Sequence, residues 1–329
     1  MKSCLIVGAG ISGLLAGTQL QTAGWHVTIL DKGRGVGGRM ANRRMTADGS
    51  ARADHGAQFF TVRDARFQAW VDEWMAADVV RIWTHGFSGR DGHPRYCGTT
   101  GMTAIAKHLA QNLTVHTRTK VSKIEFSDQL WRVITENGQL FESDALLLTS
   151  PAPQTLALLD AGQVALTESV RSALEGVRYN MCLAALVPLT APSLLPAPGG
   201  IQARGEVIDW IGDNQQKGIS AVPTLTIHGS ADFSAAWFDR DPAEIAQRLI
   251  AEAVAKGWLD LGTVHQDGVQ THRWRYAQPA TYHDARTLFT TSPGPLAFAG
   301  DAFLHARVEG AALSGLAAAD ALLEAMGER

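Results

Sequence analysis

Two uninterrupted apolar or β-branched runs flank an amphipathic stretch at the start of the chain. Residues 4–7 and 27–30 carry no charged side chain, which is typical of strands buried on both faces of a parallel sheet. Between them, apolar positions from Ile11 to Leu20 recur at helical spacing. The pattern therefore predicts a strand, a helix and a second strand, the unit from which nucleotide-binding α/β sheets are built.

The same two periodicities predict the elements of the remaining chain. Further helices are expected over residues 64–80, 103–112, 242–256 and 311–326. Strands are expected over residues 114–117, 120–124, 131–134, 140–142, 144–149, 181–187, 224–228 and 295–301. Residues 153–268 combine short β-like runs with proline-rich loops, so we interpret most of this region as a substrate domain inserted into a nucleotide-binding domain. The expected nucleotide-binding domain comprises residues 1–60, 98–153 and 269–329, and the expected substrate domain comprises residues 61–97 and 154–268.

A G-x-G-x-x-G motif connects the first predicted strand to the first predicted helix. Gly8 permits a tight turn, Gly10 lets a pyrophosphate approach the backbone, and Gly13 lets the helix pack close to the strand. The free N–H groups of the helix N-terminus attract phosphate. Asp31 ends the second strand, where it can accept hydrogen bonds from the ribose hydroxyls of an adenosine. A plain β-α-β unit could also carry these glycines, but their order together with Asp31 favours dinucleotide binding.

Two later features favour FAD over NAD as the bound dinucleotide. Gly37-Gly38-Arg39 follows the second strand, and Gly300-Asp301 ends a strand close to the C-terminus. A nicotinamide dinucleotide has no need of a second acid so far along the chain, whereas the ribityl hydroxyls and phosphate of FAD could use Asp301. A helix that begins near Gly310 would direct its positive end at the flavin pyrimidine and stabilise a reduced, anionic flavin.

Composition narrows the class of protein without identifying its chemistry. The chain has 329 residues, 46% hydrophobic and 19% charged, as in ordinary globular proteins, and it is long enough for about two domains. A net charge of -3 gives no reason to expect a nucleic-acid partner. Three widely spaced cysteines form neither a disulfide framework nor a metal-binding pattern. No signal peptide or membrane-length apolar run is recognised, so we expect a cytoplasmic protein without a metal or a membrane partner.

Several motifs together resemble the bacterial renalase-like flavoproteins, which are compact relatives of the amine oxidases. The resemblance extends over nearly the whole chain. The motifs that carry it are residues 7–13, 31–32, 37–40, 54–61, 101–102, 272–277 and 307–310. The Asp-x-Gly-Ala-Gln segment with the aromatic pair that follows it, at residues 54–60, is the most specific of these motifs, and the glycine motif is the least specific.

The resemblance implies a para-hydroxybenzoate-hydroxylase-like α/β fold, in which a Rossmann-type FAD-binding domain carries a smaller mixed α+β substrate domain. It also implies non-covalent FAD and hydride transfer from isomeric 2- or 6-dihydro-NAD(P) to flavin N5, with O₂ reduced to hydrogen peroxide. Together with the glycine motif, it predicts FAD contacts at Gly8, Gly10, Ile11, Ser12, Gly13, Asp31, Lys32, Gly38, Arg39, Gln58, Phe59, Val121, Gly300, Asp301 and Val308.

For the residues that bind the substrate, the sequence leaves alternatives open. A dihydronicotinamide can donate hydride without first losing a proton, so the protein must mainly position it. Trp210 and Tyr276 are the preferred candidates for an aromatic wall over the flavin, and His228 could hydrogen-bond the substrate carboxamide or a flavin carbonyl. Further candidates for substrate binding are Phe60, Arg63, Tyr96, Trp237, Trp274 and Arg307. The aromatic candidates are also compatible with places in the core, and the arginines with ion pairs.

Three other functions remain compatible with the sequence. An amine oxidase would need an aromatic cage at the flavin, for which Trp274 and Tyr276 are the candidates. A general NAD(P)H-dependent flavin oxidoreductase would use the ordinary reduced nucleotide and reduce a quinone or a dye. A non-enzymatic protein could hold FAD as a structural group, in which case no open pocket above the flavin is expected.

Overall fold

The computed structural model describes residues 1–87 and 92–327 of the chain. The strands in chain order are β1 (Ser3–Val7), β2 (His26–Leu30), β3 (Asn42–Arg44), β4 (Arg52–Asp54), β5 (Val80–Thr84), β6 (Arg95–Gly98), β7 (Thr114–His116), β8 (Val121–Ser127), β9 (Leu130–Thr135), β10 (Leu140–Ser143), β11 (Ala145–Leu148), β12 (Arg178–Pro188), β13 (Gly200–Gln202), β14 (Ile208–Asp213), β15 (Thr224–Gly229), β16 (Gln270–Thr281), β17 (Leu288–Thr290) and β18 (Leu296–Phe298). The α-helices are α1 (Ile11–Thr22), α2 (Ala65–Ala76), α3 (Thr103–Ala110), α4 (Ala152–Ala161), α5 (Glu168–Glu175), α6 (Ala231–Trp237), α7 (Pro242–Ala255) and α8 (Val308–Ala325).

A six-stranded sheet in the order β17-β18-β11-β1-β2-β7 forms the nucleotide-binding part of the fold. Its neighbouring strands run parallel except β17, which pairs antiparallel with β18 at the edge. Val7 at the end of β1 is in register with Leu30 of β2 and Leu148 of β11. The strand ends therefore bring the glycine motif, Asp31 and Thr149 to one edge of the sheet, where α/β folds bind their ligands.

Helices α1 and α8 pack against each other beside this sheet. A Cβ on Gly315 of α8 would lie 2.2 Å from the backbone oxygen of Ser12, so only glycine permits this distance between the helices. The apolar side chains of both helices join Ile6 and Ile29 of the sheet in one core. A second core, which includes Leu5 and Leu146, lies on the other sheet face and includes the meander β8-β9-β10.

A five-stranded antiparallel sheet, in the order β13-β14-β15-β12-β16, forms the second part of the fold. Leu225 and Ile227 on one face of β15 pack with helix α7 in a third core. Thr226 and His228 point to the other face because side chains alternate along a strand. On that face the Thr226 hydroxyl donates a hydrogen bond of 2.9 Å to the backbone oxygen of Asp54. This second face is therefore the one that meets the nucleotide-binding part.

Packing divides the chain differently from the expected domain boundaries. Phe67, Val71 and Trp74 of α2 belong to the core beside the nucleotide-binding sheet, although residues 61–97 were expected in the substrate domain. Most of helix α4 and all of helix α5 fall within residues 154–268, but both helices likewise pack in the second core of the nucleotide-binding part. Conversely, β16 pairs with β12 of the antiparallel sheet, although residues 269–329 were expected in the nucleotide-binding domain.

Helix α2 also ends earlier than the pattern predicts. The expected helix covers residues 64–80, but α2 stops at Ala76, Asp78 adopts a left-handed backbone with φ 54°, and strand β5 starts at Val80. The β-branched Val79 and Val80 favour extended backbone over helix. Within residues 1–87 and 92–327, no helix combines the length and the apolar character needed to cross a membrane.

Candidate active site

A cavity of about 790 Å³ lies between the ligand-binding edge of the parallel sheet and the polar face of the antiparallel sheet. The parallel sheet contributes Gly10, Thr149 and Gly300 to its wall, and the antiparallel sheet contributes Cys182 and His228. The glycine motif and the second sheet therefore face a single cavity.

The glycine turn, residues 8–13, forms one end of this cavity. Gly8 has φ +115°, and a Cβ on Gly13 would lie 2.1 Å from the Gly8 oxygen, so both positions require glycine. A Cβ on Gly10 would meet no protein atom within 4 Å, and the buried hydroxyl of Ser12 has no partner among the described residues. Helix α1 begins at Ile11 without a side-chain cap. Open space beside Gly10, an unpartnered hydroxyl and free helix N–H groups fit a pyrophosphate.

Asp31 supports the glycine turn through both of its carboxylate oxygens. Oδ2 accepts a hydrogen bond of 2.7 Å from the backbone N–H of Ala9, and Oδ1 accepts one of 2.6 Å from that of Gly33. Each oxygen keeps a further lone pair, so Asp31 can still accept from a ribose hydroxyl. The neighbouring Lys32 ammonium instead donates to the Gln154 side chain at 3.0 Å.

Arg39 and Asp301 form a two-bond ion pair in the cavity wall. The two guanidinium nitrogens of Arg39 lie 2.5 and 2.6 Å from the two carboxylate oxygens of Asp301. Arg39 also donates to the backbone oxygen of Tyr276 at 3.2 Å. Both side chains are only partly exposed, so the pair joins the segment after β2 to the segment after β18 beside the glycine turn.

Glu309 fixes the start of helix α8 at the same cavity. Its buried carboxylate accepts hydrogen bonds from the backbone N–H groups of Arg63 (2.6 Å) and Asp64 (2.8 Å). A Cβ on Gly310 would lie 2.1 Å from the His305 oxygen, which explains the glycine in this turn. The positive end of α8 is therefore held in the cavity wall at Val308.

The carbonyl oxygen of His55 orients two side chains of the second sheet. It accepts from Nε1 of Trp274 at 2.8 Å and pairs with Nε2 of His228 at 3.3 Å. The His55 ring stacks on the Trp274 ring and contacts the His272 ring, with centroids 5.3 and 4.5 Å apart. Burial lowers the pKa of His55 to about 3 and that of His228 to about 4. Both imidazoles are therefore neutral at pH 7.

Several predicted aromatic residues lie behind the wall rather than in it. Trp210 packs against Phe59 and Phe87, with centroids 5.5 and 4.8 Å apart. Tyr96 stacks on Phe60 at 5.5 Å, and the Trp237 ring stacks on Phe233 at 5.2 Å. The Tyr276 ring contacts Tyr179 edge-on at 5.5 Å. Trp210 and Tyr96 thus support the wall residues Phe59 and Phe60, and none of the four predicted rings lines the cavity itself.

The structure thus brings together about half of the predicted site residues. Those in the cavity wall are Gly10, Ile11, Ser12, Arg39, Phe59, Phe60, Arg63, His228, Trp274, Gly300, Asp301, Arg307 and Val308. Those outside the wall are Gly8, Gly13, Asp31, Lys32, Gly38, Gln58, Tyr96, Val121, Trp210, Trp237 and Tyr276. Of the latter, Val121 belongs to the second core, and the Gln58 amide donates to the backbone oxygens of Asp54 and Gly56.

Sequence reasoning missed a fully buried ion pair close to the site. The Lys217 ammonium lies 2.6 Å from Oδ2 of Asp54, and the two side chains are 1% and 0% exposed. The Lys217 ammonium also lies 5.1 Å from the centre of the Trp83 ring. Asp54 stands in the most specific motif of the sequence and could have been suspected, whereas Lys217 ends a stretch, residues 188–217, with little recognisable pattern.

Comparisons with known proteins agree with this architecture. A family model described as "Flavin containing amine oxidoreductase" matches residues 67–323, and one described as "NAD(P)-binding Rossmann-like domain" matches residues 6–74. Renalase from Mus musculus is 25% identical over 96% of this chain and 97% of its own length.

Solved structures with low identity share the fold. A putative protoporphyrinogen oxidase from Exiguobacterium sp. 255-15 is 16% identical with a TM-score of 0.72, covering 98% of this chain and 99% of its own. Cyclohexylamine oxidase from Brevibacterium oxydans IH-35A is 12% identical with a TM-score of 0.69, covering 99% of both chains. The expected Rossmann-type, amine-oxidase-like α/β fold is thereby confirmed.

Proposed function

The chain belongs to the family of flavin containing amine oxidoreductases, within which it resembles renalase, and we propose that it is an FAD-dependent oxidase of isomeric dihydronicotinamide nucleotides. The substrate would be a 2- or 6-dihydro isomer of NAD(P), with O₂ as electron acceptor. The observation that carries the proposal is that the glycine turn and a wall of aromatic and basic side chains belong to one cavity. A cavity of about 790 Å³ is within the range of small-molecule and cofactor sites.

The residues around the glycine turn fit FAD. Ser12 and the backbone beside Gly10 would hold the pyrophosphate, and Asp31 would accept from the adenosine ribose. Asp301, which the Arg39 guanidinium orients, would accept from the ribityl hydroxyls. Bound FAD would supply the redox chemistry by accepting hydride at N5 and returning two electrons to O₂ as hydrogen peroxide.

The cavity wall offers positioning rather than proton removal. The pKa of His228 is lowered to about 4 by burial, so its imidazole is a weak base, and burial raises the pKa of the Cys182 thiol to about 12, so it stays protonated. A dihydropyridine needs no proton removed before it donates hydride, whereas a protonated amine does. Phe59 and Phe60 would exclude water from the dihydropyridine ring of the substrate, and Trp274 would contact that ring.

Two arginines in the wall suit a phosphate-bearing substrate. Arg63 and Arg307 are exposed, and neither guanidinium has a partner among the described residues. Guanidinium groups bind phosphate oxygens through two parallel hydrogen bonds. Because a simple amine carries no phosphate, these arginines favour a nucleotide over an amine as substrate.

Anaerobic reduction of the purified flavoprotein tests the proposal. The flavin absorbance band should bleach rapidly with 6-dihydro-NAD, and slowly or not at all with ordinary NADH or with amines. Admission of air should restore the band and produce one hydrogen peroxide per flavin. Rapid bleaching by an amine without bleaching by dihydronicotinamide isomers would overturn the proposal in favour of an amine oxidase, the function that the family name suggests.

The proposed cofactor site has its own test. Replacing Asp301 by alanine removes the acceptor for the ribityl hydroxyls and leaves the Arg39 guanidinium without its ion pair. The purified Asp301→Ala variant should therefore contain much less FAD per polypeptide than the unmodified protein. Full retention of FAD by a folded variant would contradict the assignment of Asp301.

A further inference from the structure

We propose that His228 selects nicotinamide over nicotinic acid by accepting a hydrogen bond from the substrate carboxamide N–H at Nδ1. The inference rests on the proposed function and specifies which group of the substrate the cavity recognises. It also resolves the two alternatives that the sequence left open for His228, because a nitrogen that can only accept has nothing to donate to a flavin carbonyl.

The ring proton of His228 is carried by Nε2. Nε2 of His228 lies 3.3 Å from the carbonyl oxygen of His55, and a carbonyl oxygen can only accept. The Nε2 atom must therefore be protonated. In a neutral imidazole the other nitrogen, Nδ1, then has a free lone pair and no hydrogen.

The surroundings of the His228 ring keep it uncharged. The Lys217 and His272 side chains near His228 are a cation and an imidazole, and both oppose a second proton on His228. Burial acts in the same direction and is the largest effect, so the pKa falls from 6.5 to about 4. The ring therefore stays uncharged throughout the neutral pH range, and its Nδ1 atom can accept a hydrogen bond but cannot donate one.

The free lone pair of His228 Nδ1 is available to a ligand in the cavity. His228 lines the cavity, and Nδ1 has no hydrogen-bond partner within residues 1–87 and 92–327. The ring cannot turn to exchange its nitrogens without losing the bond to His55, whose carbonyl is itself fixed by Trp274 at 2.8 Å. A ligand in the cavity thus meets an acceptor of fixed direction.

An acceptor of fixed direction discriminates between a carboxamide and a carboxylate on the pyridine ring. The carboxamide of a nicotinamide offers N–H donors, whereas the carboxylate of a nicotinic acid offers only acceptors and a negative charge. Two acceptors that face each other cannot form a hydrogen bond, so each loses the partner that an amide N–H would provide. This corresponds to a preference of about 10- to 100-fold in kcat/KM for the amide over the acid.

Paired mononucleotides measure this preference directly. The probes are the 6-dihydro isomers of nicotinamide mononucleotide and of nicotinic acid mononucleotide, which differ only in the amide. The flavin-loaded enzyme is mixed anaerobically with each, and kcat/KM comes from the rate of flavin bleaching. The unmodified enzyme should prefer the amide by about 10- to 100-fold. His228→Phe, which removes the acceptor, should reduce this ratio to near one.

Two further variants separate recognition from structure. His228→Gln presents both an acceptor and a donor, so it should oxidise the acid substantially better than the unmodified enzyme does. His272→Phe changes a ring that contacts His55 but lies outside the cavity wall, and it should keep the original ratio. Flavin content per polypeptide checks that each variant is folded and loaded.

The outcomes distinguish this inference from the function on which it rests. Equal rates with the amide and the acid in the unmodified enzyme, or an unchanged ratio in flavin-loaded His228→Phe, would refute the role of His228 and leave the oxidase function intact. If neither mononucleotide bleaches the flavin while an amine does, the proposed function fails and the inference about His228 fails with it.

Discussion

The buried pair of Lys217 and Asp54 predicts a large and specific loss of stability when one partner is removed. The ammonium and the carboxylate are 2.6 Å apart and almost fully buried. The other carboxylate oxygen of Asp54 accepts from the backbone N–H of Met102 at 2.9 Å. Lys217→Met would leave this carboxylate buried without its counter-charge.

The magnitude follows from the burial of the pair. Breaking a fully buried ion pair by removing one partner costs about 3–5 kcal/mol, because the remaining charge is neither paired nor hydrated. Replacing both residues, as Lys217→Met with Asp54→Asn, removes both charges and keeps an acceptor for the Met102 N–H. The double variant should therefore be more stable than Lys217→Met alone.

Equilibrium unfolding in urea, followed by fluorescence, measures these differences. The control is Lys120→Met, which breaks an ion pair with Glu136 of similar length, 2.5 Å, but with side chains 59% and 56% exposed. This exposed pair should contribute at most about 1 kcal/mol. If Lys217→Met costs no more than Lys120→Met, or if the double variant is less stable than the single one, the argument from burial is refuted.

Acidity and helix packing give two more predictions. Burial lowers the pKa of His55 from 6.5 to about 3. Below pH 6.5, His55 is therefore protonated in the unfolded chain but stays neutral in the folded protein. The contribution of His55 to stability is complete above pH 6.5 and falls towards pH 3, by about 2 kcal/mol at pH 5. The urea midpoints at pH 7.5 and pH 5 should therefore differ less in the His55→Phe variant than in the unmodified protein. Equal differences in the two proteins would contradict this prediction. Gly315→Ala places a Cβ 2.2 Å from the Ser12 oxygen and should destabilise the protein by about 1–3 kcal/mol and lower its FAD content. The control Gly35→Ala meets no atom within 4 Å, and flavin loss equal to that of Gly315→Ala would count against the packing explanation.

Local patterns predicted the nucleotide-binding part of the fold because its determinants are close in sequence. Strand β1, helix α1 and strand β2 occur where the apolar runs and the glycine motif predict them. Contacts within the turn itself require the glycines. For example, a Cβ on Gly13 would lie only 2.1 Å from the Gly8 oxygen. Asp31 is explained by its bond to the Ala9 N–H, 22 residues earlier but within the same strand-helix-strand unit.

The substrate side could not be predicted in the same way because long-range packing decides which aromatic ring reaches the cavity. Trp210 and Trp274 lie on different strands of one sheet, and the sequence around them does not indicate which of the two lines the cavity wall. Trp274 is placed there by its bond to the His55 oxygen, 219 residues away in sequence. Trp210 instead fills the space behind Phe59. Periodicity assigns a residue to a face of an element but does not give its partner.

The motif at residues 54–58 has a structural role in addition to the FAD contact that the sequence predicts for Gln58. The Gln58 amide donates to the backbone oxygen of Asp54, 2.5 Å away, and stabilises the motif itself. Asp54 pairs with Lys217 and the His55 oxygen orients His228, so the motif attaches the antiparallel sheet to the nucleotide-binding part. A Cβ on Gly56 would lie 2.0 Å from the oxygen of Arg39, which fixes the motif against the segment that carries the Asp301 partner. The same few residues therefore determine both the distance between the two sheets and the direction of the acceptor in the cavity, so a change in this motif should alter substrate selection and stability together.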